Sequence, residues 1–295
     1  MTAFFRIIIF TVTLLCFGIS VQAQDIDWVS IHERENKVSI AEALNALKIP
    51  PKTPEKLYQL ALSCFSKHRD AKARNTFQEI LTIRPDSYEA RWGIAEYERR
   101  VHEYGKASAV LTQIIEEHPG FAPAYISLSY IKYMEFDFEA AVNLTAKVIN
   151  LGRSNIDSYS YVRAQCIYAG AKGMIAYTGG PVSKAINGPA VLRHLRIARN
   201  VKPDCVAVYF GYGCYYLLSP EAGGRNLRKA EKLLKKSVEL DPLFADGYAR
   251  LAQLYRAKKD PKMYDFYLKK ALQIDPKNIL ALDVKSDTCK FICNW

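Results

Sequence analysis

Five histidines and seven cysteines are the side chains of this 295-residue sequence best able to hold a metal or move a proton, and neither set is spaced for it. His32, His68, His102, His118 and His194 are scattered, and no His-Glu-x-x-His or related pattern sets two imidazoles on one face of a helix. Cys289 and Cys293 lie four apart, as in half a metal site or a terminal bridge, but no second Cys or His pair is close enough in sequence to complete a tetrahedral set. Cys64, Cys166 and Cys214 fall inside apolar helical patterns, where a free thiol behaves as a small hydrophobe. Six cysteines remain once Cys16 is set aside, a count that permits disulfides, although the spacings form no recognisable framework. The chain has no Gly-x-Ser-x-Gly elbow, Walker loop or dinucleotide fingerprint, and Gly211-Tyr212-Gly213 fits close helix packing better than a phosphate loop. The sequence thus points to no catalytic residue, metal or cofactor. It leaves binding, for which aromatic side chains are suited because they bury much area with few torsions to freeze, and arginine because it is enriched with them at hot spots.

Placing such side chains falls to helices that recur with a fixed period. Pro85, Pro119, Pro242 and Pro276 each close a helix-like stretch; the first two are 34 residues apart, as are the last two, with Pro203 between them. Ala73, Ala107 and Ala141 keep the same 34-residue spacing. An alanine lets two helices cross closely, and a proline ends a helix because it cannot donate to the preceding turn. This register, running over most of residues 54–278, closely resembles that of the tetratricopeptide-repeat family, whose unit is a pair of antiparallel helices, A and B. The resemblance implies an all-α fold, a right-handed superhelical solenoid of antiparallel helix pairs. Units one to three occupy 54–153, an interrupted unit 154–204, and units five and six 205–278. Leu57, Leu60, Ala61 and Cys64 with Ala73, Phe77 and Ile80 mark the first; Tyr248, Leu251, Ala252 and Tyr255 with Leu268 and Ala271 mark the last. The third unit carries Arg153 where the proline is expected. About 16 surplus residues fall in the fourth, around Thr178-Gly179-Gly180-Pro181 and Asn187-Gly188-Pro189, which predicts a turn-rich loop over 179–189 with one short helical turn at Ser183–Ile186.

The resemblance also implies a binding face, because helix A of each unit lines a continuous concave groove. Carried onto this chain, the family's groove positions give Tyr58 and Phe65 in unit one, and Trp92, Glu96, Arg99 and Arg100 in unit two. Units three, five and six contribute Tyr130 and Tyr133, Phe210, and Arg256. The expectation is a non-enzymatic scaffold that takes a protein or peptide partner there; packing of these aromatics between units or against the N-terminal segment is the alternative. Two rival readings remain. The stretch from Tyr215 to Glu231 is similar to the widened, Gly-Gly-containing turn of periplasmic tetratricopeptide proteins associated with TRAP-type transporters, which implies a small ligand or a solute-binding protein as partner. An enzyme with its site in the 179–189 insertion is the other, and no nucleophile–base pair supports it.

The ends differ in kind from the array. Arg6, the apolar run from Ile7 to Ile19 and Val21-Gln22-Ala23 read as a signal peptide over 1–23 with Gln24 as the mature start, which predicts an exported protein, periplasmic or secreted. An uncleaved anchor is the alternative; no later apolar run reaches membrane-spanning length, so the mature chain is not expected to be an integral membrane protein. Residues 24–38 read as polar and unperiodic within a 24–53 segment, whose Ser39-Ile40-Ala41-Glu42 capping box predicts a short helix to about Lys48, broken by Pro50-Pro51. Residues 279–295 should cap the last unit, with a helix over 279–293. The net charge of +11 is uneven: residues 24–181 are balanced, whereas 182–295 carry 21 Lys and Arg against 11 Asp and Glu. Arg193, Arg196 and Arg199, then Arg225 to Lys236, then Arg256 to Lys262 are the concentrations. They read as a solvated helix face or as a dock for an anionic surface. The basic runs lack the aromatic platform that nucleic acid needs.

Overall fold

The computed structural model describes residues 26–34, 38–49, 52–288 and 290–291. The expected signal peptide over 1–23, the expected break at Pro50-Pro51, Cys289 and Cys293 lie outside the described residues. Among those described, every regular element is helical, and none is long and apolar enough to cross a membrane.

Helices α1 (Trp28–Arg34) and α2 (Ile40–Leu47) precede the array. The pairs that follow are α3 (Pro54–Phe65) with α4 (Asp70–Ile83), α5 (Tyr88–Arg100) with α6 (Tyr104–Glu117), and α7 (Ala122–Met134) with α8 (Phe138–Leu151). Then come α9 (Ser158–Thr178) with α10 (Pro181–Val201), α11 (Val206–Leu218) with α12 (Leu227–Leu240), and α13 (Ala245–Ala257) with α14 (Pro261–Ile274); α15 (Ile279–Ser286) closes the chain. The A helices form the inner layer and the B helices the outer one. The alanines read from the 34-residue spacing do what that spacing requires: Ala73, Ala107 and Ala141, with Ala230 and Ala271 farther on, are fully buried at the crossings. At Gly213 a Cβ would lie 2.7 Å from Leu234, so the glycine is there for close packing, as its position in the repeat suggests. The A-to-B turns repeat as well: His68, His102, Phe136 and Lys259 all adopt positive φ.

Three expectations are corrected. The surplus in unit four is not a loop. It lengthens both helices to 21 residues, about two turns more than in any other pair, and only Gly179 and Gly180 separate them. Asn187-Gly188-Pro189 lies inside α10, where the Asn187 side chain donates to the Ser183 carbonyl at 3.1 Å. Second, residues 28–34 are helical, with Asp27 accepting from the Ser30 amide. Third, the capping helix stops at Ser286, because Asp287 takes a left-handed conformation (φ 58°) and the Asp283 carboxylate gathers Thr288, Lys290 and Phe291 into a return turn. The missing proline of unit three is replaced in effect by Gly152, whose φ of 83° ends α8. The Ser39–Glu42 capping box forms as expected and starts α2.

Candidate functional site

The inner face is where the sequence places the binding residues, and the structure fills much of it with the chain's own side chains. Tyr58, Phe65, Trp92 and Glu96, expected at an open groove, are buried. Their cover comes from α1. Its Ile31 and the preceding Ile26 are buried, the Ile26 amide donates to Glu89 at 3.2 Å, and His32 Nε2 meets the Tyr58 hydroxyl at 3.0 Å. Trp28 packs edge-on against Phe121 at 5.1 Å, and His32 lies 5.5 Å from the Trp92 ring. On the far side the Glu33 carboxylate accepts from the Ser158 amide, and His32 Nδ1 lies 3.9 Å from Asp157. Burial lowers the pKa of His32 against the pull of Asp157. The space left between α1, Phe65, Trp92, Glu96, Arg100 and Arg163 is about 20 Å³, room for one water and not for a metabolite.

Beneath α1 runs a polar network. Glu96 receives Arg99 in two bonds of 2.8 and 2.6 Å, Arg100 at 3.0 Å and the Ser127 hydroxyl at 2.8 Å; Trp92 Nε1 donates to that hydroxyl at 3.1 Å. Burial alone would raise the Glu96 carboxyl, but Arg99 and Arg100 hold it well below the carboxylate range. Arg100 also reaches Asp70 at 2.9 Å and the Phe65 carbonyl at 3.2 Å. Arg99 lies 4.5 Å over the ring of Tyr130, whose hydroxyl donates to Asp246 at 3.3 Å. Tyr133 stacks on Phe291, Phe210 packs edge-on against Phe244, and Arg256 pairs with Asp287 at 2.6 Å. None of the ten expected groove residues is therefore idle.

The network also joins the two ends of the array. His68, in the first unit's A-to-B turn, donates to Asp241 at the end of unit five at 2.9 Å. His102, one repeat later, donates to Asp275 at the end of unit six at 2.9 Å. Asn278 bonds both Asp246 and Asp275. The solenoid is thus clasped, unit one to five and unit two to six. Phase alone marks His68 with His102, and Asp241 with Asp275, as equivalent pairs 34 apart, but no sequence period pairs them across 173 residues.

Asp275, His102 and Tyr104 have the connectivity of an orienter, a base and a hydroxyl, with His102 Nδ1 3.1 Å from the Tyr104 hydroxyl. Burial pushes the Tyr104 phenol up to about 12, the wrong direction for a nucleophile. Thiols are pushed the same way: burial takes Cys214 up to about 11, and Cys64, Cys166 and Cys205 are also raised and free. The widened turn after α11 closes on its own unit, with the Tyr215 hydroxyl donating to Gly223 and the Asn226 amide to Tyr216. Part of the basic excess is locally matched. Burial would raise the Glu231 carboxyl, but hydrogen bonds from Lys235, Lys258 and Tyr255 hold it at about 2.

Comparison with known proteins agrees with this architecture. Residues 245–278 match the family described as tetratricopeptide repeat. A 58-residue stretch is 36% identical to the type IV pilus assembly protein PilF of Pseudomonas aeruginosa, covering 20% of this chain and only 23% of that protein. Human IFIT1, solved as a dimer with m7Gppp-AAAA, superposes with a TM-score of 0.55 at 15% identity, over 88% of this chain and 60% of that one. A tetratricopeptide repeat protein from Parabacteroides merdae gives 0.52 at 13% identity, over 87% and 95%. The chain spans about half, 47%, of the matched partner in the Cut9–Hcn1 complex, with a TM-score of 0.52. These structural likenesses establish a fold. The chain has the fold of a tetratricopeptide-repeat solenoid, with the repeat itself matched at residues 245–278.

Proposed function

We propose that this protein is an exported, non-catalytic scaffold whose concave face takes a short helical peptide segment of a partner, in place of α1. The observation that carries this reading is α1 itself. A seven-residue helix lies on Tyr58, Trp92 and Phe121 and presents one isoleucine, one histidine and one tryptophan to them. These are contacts that a partner's helix would make in a groove. The partner would be an amphipathic segment with aromatic and apolar anchors at i, i+3 and i+4. The 58-residue similarity to a pilus assembly protein supports a role in holding components of an assembly together. Export rests on the N-terminal signal, and a secreted form whose mass begins at Gln24 is the expected product.

The test is competition between α1 and the same peptide in trans. Ile31→Asp should detach α1, and the variant should bind a labelled peptide of residues 26–34 in fluorescence anisotropy, whereas the parent should not. An Ile31→Asp protein that keeps its helix content yet leaves the peptide unbound rules out the concave face as a peptide receptor.

A further inference from the structure

The α9–α10 hairpin is the one pair that outgrows the repeat. Its connections to α8 and α11 are short, so the added two turns extend at its A-to-B end and carry the tip about 10 Å past the neighbouring turns. The tip is fixed: the Ser183 hydroxyl donates to the Ile175 carbonyl at 2.9 Å, and Asn187 ties back to Ser183. On it stand Val182 and Ile186, 72% and 70% exposed and four residues apart, hence on one helix face. The same exposed stripe continues along α10 through Pro189 to Arg193 and Arg196. Its charge is unbalanced: residues 158–203 contain seven Lys and Arg and no Asp or Glu.

Exposed apolar side chains beside unneutralised cations fit a surface that is apolar beneath and anionic on top. Nucleic acid would need exposed rings for stacking, and the aromatic nearest the tip, Tyr177, is packed among neighbours. An acidic partner helix would need a groove, and the tip is convex. We propose that the α9–α10 tip docks on an anionic phospholipid bilayer. Val182 and Ile186 enter the boundary between headgroups and acyl chains, and Arg193 and Arg196, on the same helix face, meet the phosphates. This surface belongs to the outer layer and is independent of the concave face.

The test uses the full chain and vesicles of phosphatidylcholine with or without roughly one-third phosphatidylglycerol. Any contribution of the N-terminal apolar run is common to all variants. Binding should favour the anionic vesicles and weaken with added salt. Removing Arg193 and Arg196 as glutamine should lower affinity about 25-fold at low salt, at about fivefold per charge. Val182→Ser with Ile186→Ser should lower it about tenfold with melting unchanged, and in Ile186→Trp the indole fluorescence should shift to the blue on anionic vesicles only. Unchanged binding to anionic vesicles by the serine variant or by the glutamine variant, or retention of polyglutamate or RNA in place of vesicles, overturns the proposal.

Discussion

Glu96 is 1% exposed and holds two guanidinium groups, so its removal strands charge where water cannot reach it easily. Breaking a buried ion pair from one side costs about 3–5 kcal/mol, and Glu96→Gln should lower unfolding free energy by that order in urea titration. His194 gives a pH signature. It is buried, with Nδ1 2.6 Å from Gln165 Oε1, and burial, aided by Arg193 and Lys172, pushes it down to about 4. A histidine lowered in the folded state leaves the unfolded chain binding more protons between about pH 6.5 and 4. Stability should therefore fall as pH drops through that window, and His194→Gln should flatten this part of the profile in melting curves. At this scale the sequence was partly legible. Phase put Tyr58, Phe65 and Trp92 on the inner face, but exposure depends on what lies across that face. His32 gives no periodic clue, because seven residues are too few to show a face.

Elements were legible where the repeat repeats and illegible where it grows. A Gly-Gly-Pro and an Asn-Gly-Pro within the eleven residues 179–189 read locally as turns, and only the first one is. Pro189 is tolerated within α10 because the helix is held on both sides by tertiary packing, which overrides propensity. Proline still removes the donor for the Ala185 carbonyl. Pro189→Ala should raise stability by about 1–3 kcal/mol in thermal melts; no gain would mean that the helix needs the proline for its shape. The capping segment fails as a single helix for the opposite reason: Asp283 offers its carboxylate to three groups beyond Ser286, and the chain turns back to bury Phe291 against Tyr133 and Phe136.

At the scale of the whole molecule, the decisive feature is that the solenoid closes. Two His–Asp contacts, set one repeat apart at both ends, lock units one and two onto five and six, and this encloses α1. Burial would raise the carboxyls of Asp241 and Asp275, but the hydrogen bonds from His68 and His102 hold both below their ordinary value. A carboxylate lowered in this way contributes stability that is present above the unfolded value of about 3.9 and is lost as pH falls through the folded one. The clasp should accordingly persist at pH 5 and release only under acid below about 4. At neutral pH the same release is expected from Asp241→Asn with Asp275→Asn, which removes both charges while keeping side-chain size. In small-angle scattering the radius of gyration should rise, and residues 26–34 should lose hydrogen-exchange protection together with it. If the double variant keeps the parent's radius while α1 loses protection, helix and clasp are uncoupled; if both move together, opening the ring is what frees the concave face for a partner.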